Sequence, residues 1–265
     1  MKKFTIFAVL LLVFALIAVN NSFAAGLRDG GKGNLWILAV GIDEYPQNQN
    51  LHTLQYAVSD AENISKVFKA QEGKAFENVY TLLITDKETI KPTKENILTN
   101  MSFFQNTKPN DTVILFFALH SIIQDNIYYI MPSDSRRDAM EFNLAESMLD
   151  FNDILKSFDI PGKKIIILDT HYSQTATNLS QGKNITVLGA SKDFQPALES
   201  STFGGGLFTM SIVEAFRENA AKEYKITLGS LFEYVNERVS RISNGRQSPV
   251  MYAPAGMENM VLGGE

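Results

Sequence analysis

Two of the three histidines in this chain, His120 and His171, follow apolar runs, Thr112–Leu119 and Lys164–Leu168, and Asp169 sits beside the second. Runs without polar alternation read as strands buried on both faces. In an open α/β sheet, ligands and reacting groups collect in the crevice outside the carboxyl ends of parallel strands. Both imidazoles and the Asp169 carboxylate are therefore expected in one cleft. Such groups move protons near neutral pH, and two imidazoles with a carboxylate are also a familiar set of zinc ligands. Thiol chemistry is excluded, because the chain has no cysteine. Ser173 lies two residues beyond His171 without a visible activating partner, so it is not expected to be a nucleophile.

Other polar residues carry less chemistry. Asp43 and Glu44 occupy the turn after the first apolar run; Asp43 is a candidate substrate contact, with a surface-turn role as the alternative. Asp60 falls in a helical stretch and is expected to be a solvated or capping acid, Asp134 a structural acid, and His52 a loop residue. Gly204-Gly205-Gly206 is expected to be a hinge before a helix. A phosphate cradle would need a strand leading in and a Lys-Ser/Thr following.

The elements that would position these groups alternate along the chain. Leu35–Ile42, Val79–Ile84, Thr112–Leu119, Lys164–Leu168 and Ile185–Ala190 read as strands, Ile127–Met131 as a short strand or hairpin arm, and Pro249–Ala253 as the strand that closes the chain. Helices are expected at Leu54–Gln71, after Pro92-Thr93 with Thr93 as the cap, at Asn152–Phe158, at Leu207–Asn219 and after Thr227. Gln174–Lys183 and Ser191–Gly205 read as loops. Alternation of this kind predicts an α/β fold, a mostly parallel sheet with helices on both faces.

Positive residues at Lys2 and Lys3, the apolar run Phe4–Val19 and the small residues Ser22 and Ala24 read as an export signal over 1–24. The apolar run is shorter than the ~20 residues of a spanning helix, so no stable membrane span is expected after cleavage. A Gly-rich leader, 25–34, would then precede a single domain over 35–262. Without Lys2 and Lys3, 22 basic side chains face 29 acidic ones, a net charge of −7. That balance disfavours a nucleic-acid partner, which needs clustered Lys and Arg. Export points to a bacterial periplasmic or secreted protein, and the lack of cysteine leaves it without disulfides.

Five segments, in order, carry a resemblance. Ala39-Val-Gly-Ile-Asp43-Glu-Tyr45-Pro46 resembles the opening strand and turn of the caspase family (caspases, metacaspases and paracaspases), especially its bacterial members. Leu54-Gln-Tyr-Ala-Val-Ser-Asp60-Ala61 resembles the family's first helix. Asp111–His120 resembles the strand that ends at the catalytic histidine, and Ile166-Ile-Leu-Asp169-Thr-His171-Tyr-Ser173 the segment that carries the catalytic cysteine. Ala190-Ser191, Gln195-Pro196-Ala197, Gly206–Thr209 and Gln247–Val250 resemble the later segment. The resemblance runs from Leu35 to the C-terminus and implies a three-layer sandwich around a mostly parallel six-stranded sheet.

It also implies site roles. His120 takes the general-base position and His171 the cysteine position, with Leu119 and Ser121 in place of the glycines that flank the family histidine and Tyr172 in place of a histidine. Asp169 is retained; in basic-specific relatives that acid lines the pocket for Arg or Lys. The family's acyl-enzyme chemistry requires a thiolate, and losing the nucleophile of a comparable triad costs on the order of 10⁶-fold in turnover. The expected function is thus that of an exported family member inactive in cysteine proteolysis, acting by binding a peptide or protein. One alternative is a hydrolase of altered chemistry, using zinc held by His120, Asp169 and His171, or calcium; otherwise no cofactor is expected. The other is a structural envelope protein whose cleft has decayed and filled with Leu119, Tyr172 or Phe194. By resemblance, the last strand is a candidate homodimer edge.

Overall fold

Strand β1 (Leu35–Gly41) lies inside the main sheet because both its faces are apolar. Leu35, Ile37 and Ala39 point into one core, and Leu38 and Val40 into the other. The computed structural model describes residues 32–48, 51–136, 144–220 and 225–264. The expected export signal and most of the expected leader fall outside them. Residues from Gly33 onward form one compact unit.

After β1 come α1 (Ala57–Lys69), β2 (Val79–Thr85), α2 (Lys94–Asn100), β3 (Thr112–Ala118) and the hairpin β4 (Ser121–Gln124) and β5 (Ile127–Ile130). The chain continues through α3 (Leu144–Ser147), β6 (Leu149–Asp150), α4 (Phe151–Ser157), β7 (Lys163–Asp169), α5 (Ser173–Leu179) and β8 (Thr186–Gly189). It ends with β9 (Glu199–Ser200), β10 (Gly205–Gly206), α6 (Leu207–Ala220), β11 (Ile226–Thr227), α7 (Leu228–Ile242), β12 (Val250–Tyr252) and β13 (Val261–Gly263). The six-stranded sheet has the order β12-β8-β7-β3-β1-β2. All its pairs are parallel except β12 with β8.

Strand periodicity sends alternate residues to opposite faces. Ile114, Phe116, Ala118, Ile165 and Ile167 join the core under α1, α6 and α7, to which those helices contribute Ala57, Ala61, Ile64, Phe68, Phe208, Ile212, Leu228, Leu231 and Val235. Val113, Leu115, Phe117, Ile166 and Leu168 join the other core, with Ile97 of α2, Tyr128 of β5, Phe151 and Ile154 of α4 and Ala176 of α5. The three-layer α/β sandwich expected from the sequence is the architecture of the protein. Among the described residues, no helix is long and apolar enough to cross a membrane.

A polar knot fixes the bottom of the sheet. The buried Asp111 carboxylate accepts from Asn34 N (2.9 Å), Trp36 Nε1 (3.0 Å) and Lys108 N (3.0 Å). At the start of α2 the Thr93 side chain accepts from Asn96 N, as expected of a cap, and Asp134 Oδ1 accepts from Lys94 N.

Four readings of the sequence are corrected. Part of the expected loop Gln174–Lys183 is helix α5, held by a distant residue: Asp193 Oδ1 accepts from Thr175 N and Thr175 Oγ1. The first helix begins at Ala57 rather than Leu54; Leu54 N donates to Asp43 O, and Gln55 N and Tyr56 N donate to the Glu199 carboxylate. Ser191–Gly205 contains the antiparallel pair β9–β10, so the glycines are not a free hinge. Finally, β12 is the outermost strand of the sheet but does not close the chain; β13 follows and pairs with β11. Two- and three-residue strands leave no periodic signal.

Candidate functional site

His120 lies just past β3, where its backbone N donates to the Tyr45 hydroxyl at 2.9 Å. Its Nε2 is 2.7 Å from the His52 carbonyl. A carbonyl only accepts, so Nε2 carries the proton and Nδ1 keeps the lone pair. Burial lowers the His120 pKa below the ordinary imidazole value, with the His52 hydrogen bond opposing the shift.

His171 lies two residues past β7, and its ring stands 6.2 Å, centroid to centroid, from that of His120. Its Nδ1 is 2.9 Å from Ala197 N, and an amide N–H only donates. Here Nδ1 holds the lone pair and Nε2 the proton. Burial, then the neighbouring His120, lowers this pKa as well. The His171 carbonyl accepts from Ser121 Oγ at 2.8 Å, fastening the two histidine segments together. Tyr172 follows at φ 55°, a left-handed conformation rare for a bulky residue, and makes the abrupt turn from strand to helix. Ser173 is fully buried, donating to Ser191 O and accepting from Ser191 N. Its hydroxyl is spent on structure.

Asp169 ends β7 and turns toward α6, where its Oδ2 accepts from Thr209 N (3.1 Å) and Thr209 Oγ1 (2.6 Å). Opposite stands Asp60 of α1, only 2 % exposed, accepting from Gly206 N at 2.9 Å through Oδ2. Its Oδ1 is buried and has no hydrogen-bond partner. Burial raises both carboxyl pKa values, and the charge on Asp169 adds to the rise at Asp60. Gly206 lies between them: an added Cβ would strike Asp169 Oδ2 and stand 2.9 Å from Asp60 Oδ2. Only glycine lets the backbone pass so close.

Glu199 of β9 accepts from Gln55 N and Tyr56 N, drawing the 51–56 segment against the 197–199 segment. His120, His171, Asp60, Asp169 and Glu199 line one cleft. The expected meeting of His120, His171 and Asp169 is therefore found. Asp43 stands at the start of α1, where its Oδ1 accepts from Val58 N at 3.2 Å, and it is not among the cleft-lining residues. Burial raises its pKa also. Phe194, at 96 % exposure, does not fill the cleft.

Three participants escaped the sequence reading. Asp60, expected to be solvated, is buried; the available signal was its place on the stripe Ala57, Ala61, Ile64, Phe68, where a carboxylate is out of character. Glu199 and the His52 carbonyl left no local signal. Among the described residues, no three His, Cys, Asp or Glu side chains are arranged to hold a metal. The hydrogen bonds give the reason: Asp169 Oδ2 is taken by Thr209, and His171 has committed its lone pair to Ala197.

A family model described as a caspase domain matches residues 35–257. No curated protein matches the chain. Among solved structures, the chain resembles a protein from Geobacter sulfurreducens with a TM-score of 0.62 and 10 % identity, covering 86 % of this chain and 97 % of that one. That likeness concerns the fold alone.

Proposed function

Because this chain belongs to the caspase-domain family and yet contains no cysteine, we propose that it is a member without thiol proteolysis that binds a peptide or protein partner. A basic side chain of the partner enters between Asp60 and Asp169. The observation that carries this reading is the buried, unpartnered Asp60 Oδ1 at the cleft. A buried polar atom left unpaired costs about 1–3 kcal/mol, and an incoming guanidinium or ammonium would satisfy it while offsetting the repulsion between two carboxylates. The retained pocket and the absent nucleophile together favour holding over cutting. On the N-terminal sequence we place the protein in the periplasm or outside the cell.

The alternatives draw less support. A zinc-dependent hydrolase needs a lone pair from each imidazole, and His171 has directed its own to Ala197; a decayed cleft would be filled. The outer side of β12 is the edge that a second copy would meet.

The test is fluorescence anisotropy with labelled acetyl-Ala-Ala-Arg-Ala-Ala-amide, its citrulline analogue and Asp60→Asn protein. Losing the charge on either side should weaken binding at least tenfold, the equivalent of about 1.4 kcal/mol. Equal affinity for arginine and citrulline would refute the pocket assignment. Turnover of Arg- or Lys-ended fluorogenic peptides, with or without zinc or calcium, that His120→Ala abolishes would refute the binding role.

A further inference from the structure

The two histidines that line the cleft are left with opposite hydrogen-bonding capacities. With Nε2 of His120 donating to His52, the nitrogen it has left is an acceptor, Nδ1. With Nδ1 of His171 accepting from Ala197, the nitrogen it has left is a donor, Nε2–H. No hydrogen bond joins the two rings, and among the described residues neither remaining nitrogen has a partner. Both rings line the cleft that holds Asp60 and Asp169.

A donor and an acceptor standing side by side call for a ligand with one of each. In an extended peptide, the N–H and C=O of a residue supply that pair, as they do to a neighbouring strand. We propose that His120 and His171 read the main chain of the bound peptide beside its basic residue. His171 Nε2–H donates to a carbonyl, and His120 Nδ1 accepts from an amide N–H. The substitution at position 171 thus puts a main-chain clamp where the family places an attacking sulfur. The clamp holds the peptide without breaking a bond, and the Asp60–Asp169 pocket sets its register. The inference rests on the peptide-binding reading above.

It predicts that backbone chemistry matters at a single place. In the pentapeptide acetyl-Ala-Ala-Arg-Ala-Ala-amide, each amide in turn is N-methylated. One position within a residue of the arginine should lose about tenfold in affinity for the wild-type protein, the size of one hydrogen bond left unmade. With His120→Phe protein that same methyl group should cost nothing, while the cost of arginine-to-citrulline stays as in wild type. If the Phe variant does not fold, His120→Leu replaces it. Should the parent peptide bind in an Asp60-dependent way while every N-methyl peptide binds equally well, the clamp is refuted and the pocket stands. Failure of the parent peptide to bind at all refutes both.

Discussion

Replacing Asp60 with asparagine should stabilise the protein at neutral pH. Asp60 and Asp169 both reach to within 3 Å of the point where a Gly206 Cβ would stand, so their Oδ2 atoms are no more than about 5 Å apart. Unit charges at that spacing repel by roughly 3 kcal/mol at an effective dielectric of about 20. Asparagine retains an oxygen for Gly206 N–H and turns an NH₂ toward Asp169, so the repulsion vanishes and no donor is stranded. A carboxyl whose folded-state pKa is raised contributes stability below its unfolded pKa and loses it as pH rises through the folded value. The wild type should therefore weaken between about pH 4 and pH 7.5 more than Asp60→Asn does. The expected gain is about 1–3 kcal/mol at pH 7.5 and close to zero at pH 4, a rise of about 2–4 °C in Tm for each kcal/mol. Urea unfolding, followed by the fluorescence of the single tryptophan, Trp36, measures it with an unchanged m-value. A variant no more stable than wild type at pH 7.5, or equally stabilised at pH 4, would show that the buried carboxylates do not strain the fold.

Gly206→Ala should cost several kcal/mol in the same assay and abolish capture of the arginine peptide, since its methyl group collides with Asp169; near-wild-type binding would contradict the packing. Asp111→Ala strands four donors and should lose about 3–5 kcal/mol, with a red-shifted Trp36 emission in the folded state. Peptide affinity should be constant above pH 7 and fall below pH 6.5. Both histidine pKa values are lowered, so the rings stay neutral until pH drops below the ordinary imidazole range, and Asp169, pushed up to about 6 by burial, takes up a proton over the same fall. Affinity unchanged down to pH 4.5 would refute both assignments.

How much of this was legible depended on where each residue finds its partners. The sheet could be read because β1, β3 and β7 are apolar on both faces, and His120 and His171 could be placed because strand ends share an edge. Helix α5 could not, since Ser173–Leu179 is a polar stretch whose start is tied by Asp193, eighteen residues on. The direction of each imidazole was equally hidden, because it is set by two backbone groups, the His52 carbonyl and the Ala197 amide, that any residue would supply. Asp60 was misread for the opposite reason: its local pattern did say buried, and its charge argued otherwise.

The strand order β12-β8-β7-β3-β1-β2 has a kinetic consequence. Every strand after β1 joins at a margin left open by those before it; β3 lands on the free flank of β1, then β7, β8 and β12 extend that flank in turn. No late strand must pry apart two that are already zipped. A chain emerging amino end first can lay down its scaffold as it appears, and the two histidine segments meet as soon as β7 docks. The roof that fixes His171 arrives only with residue 197. The cleft is thus completed only after β1, β3 and β7 are in place, on a platform that has already set, and before α7, β12 and β13 arrive.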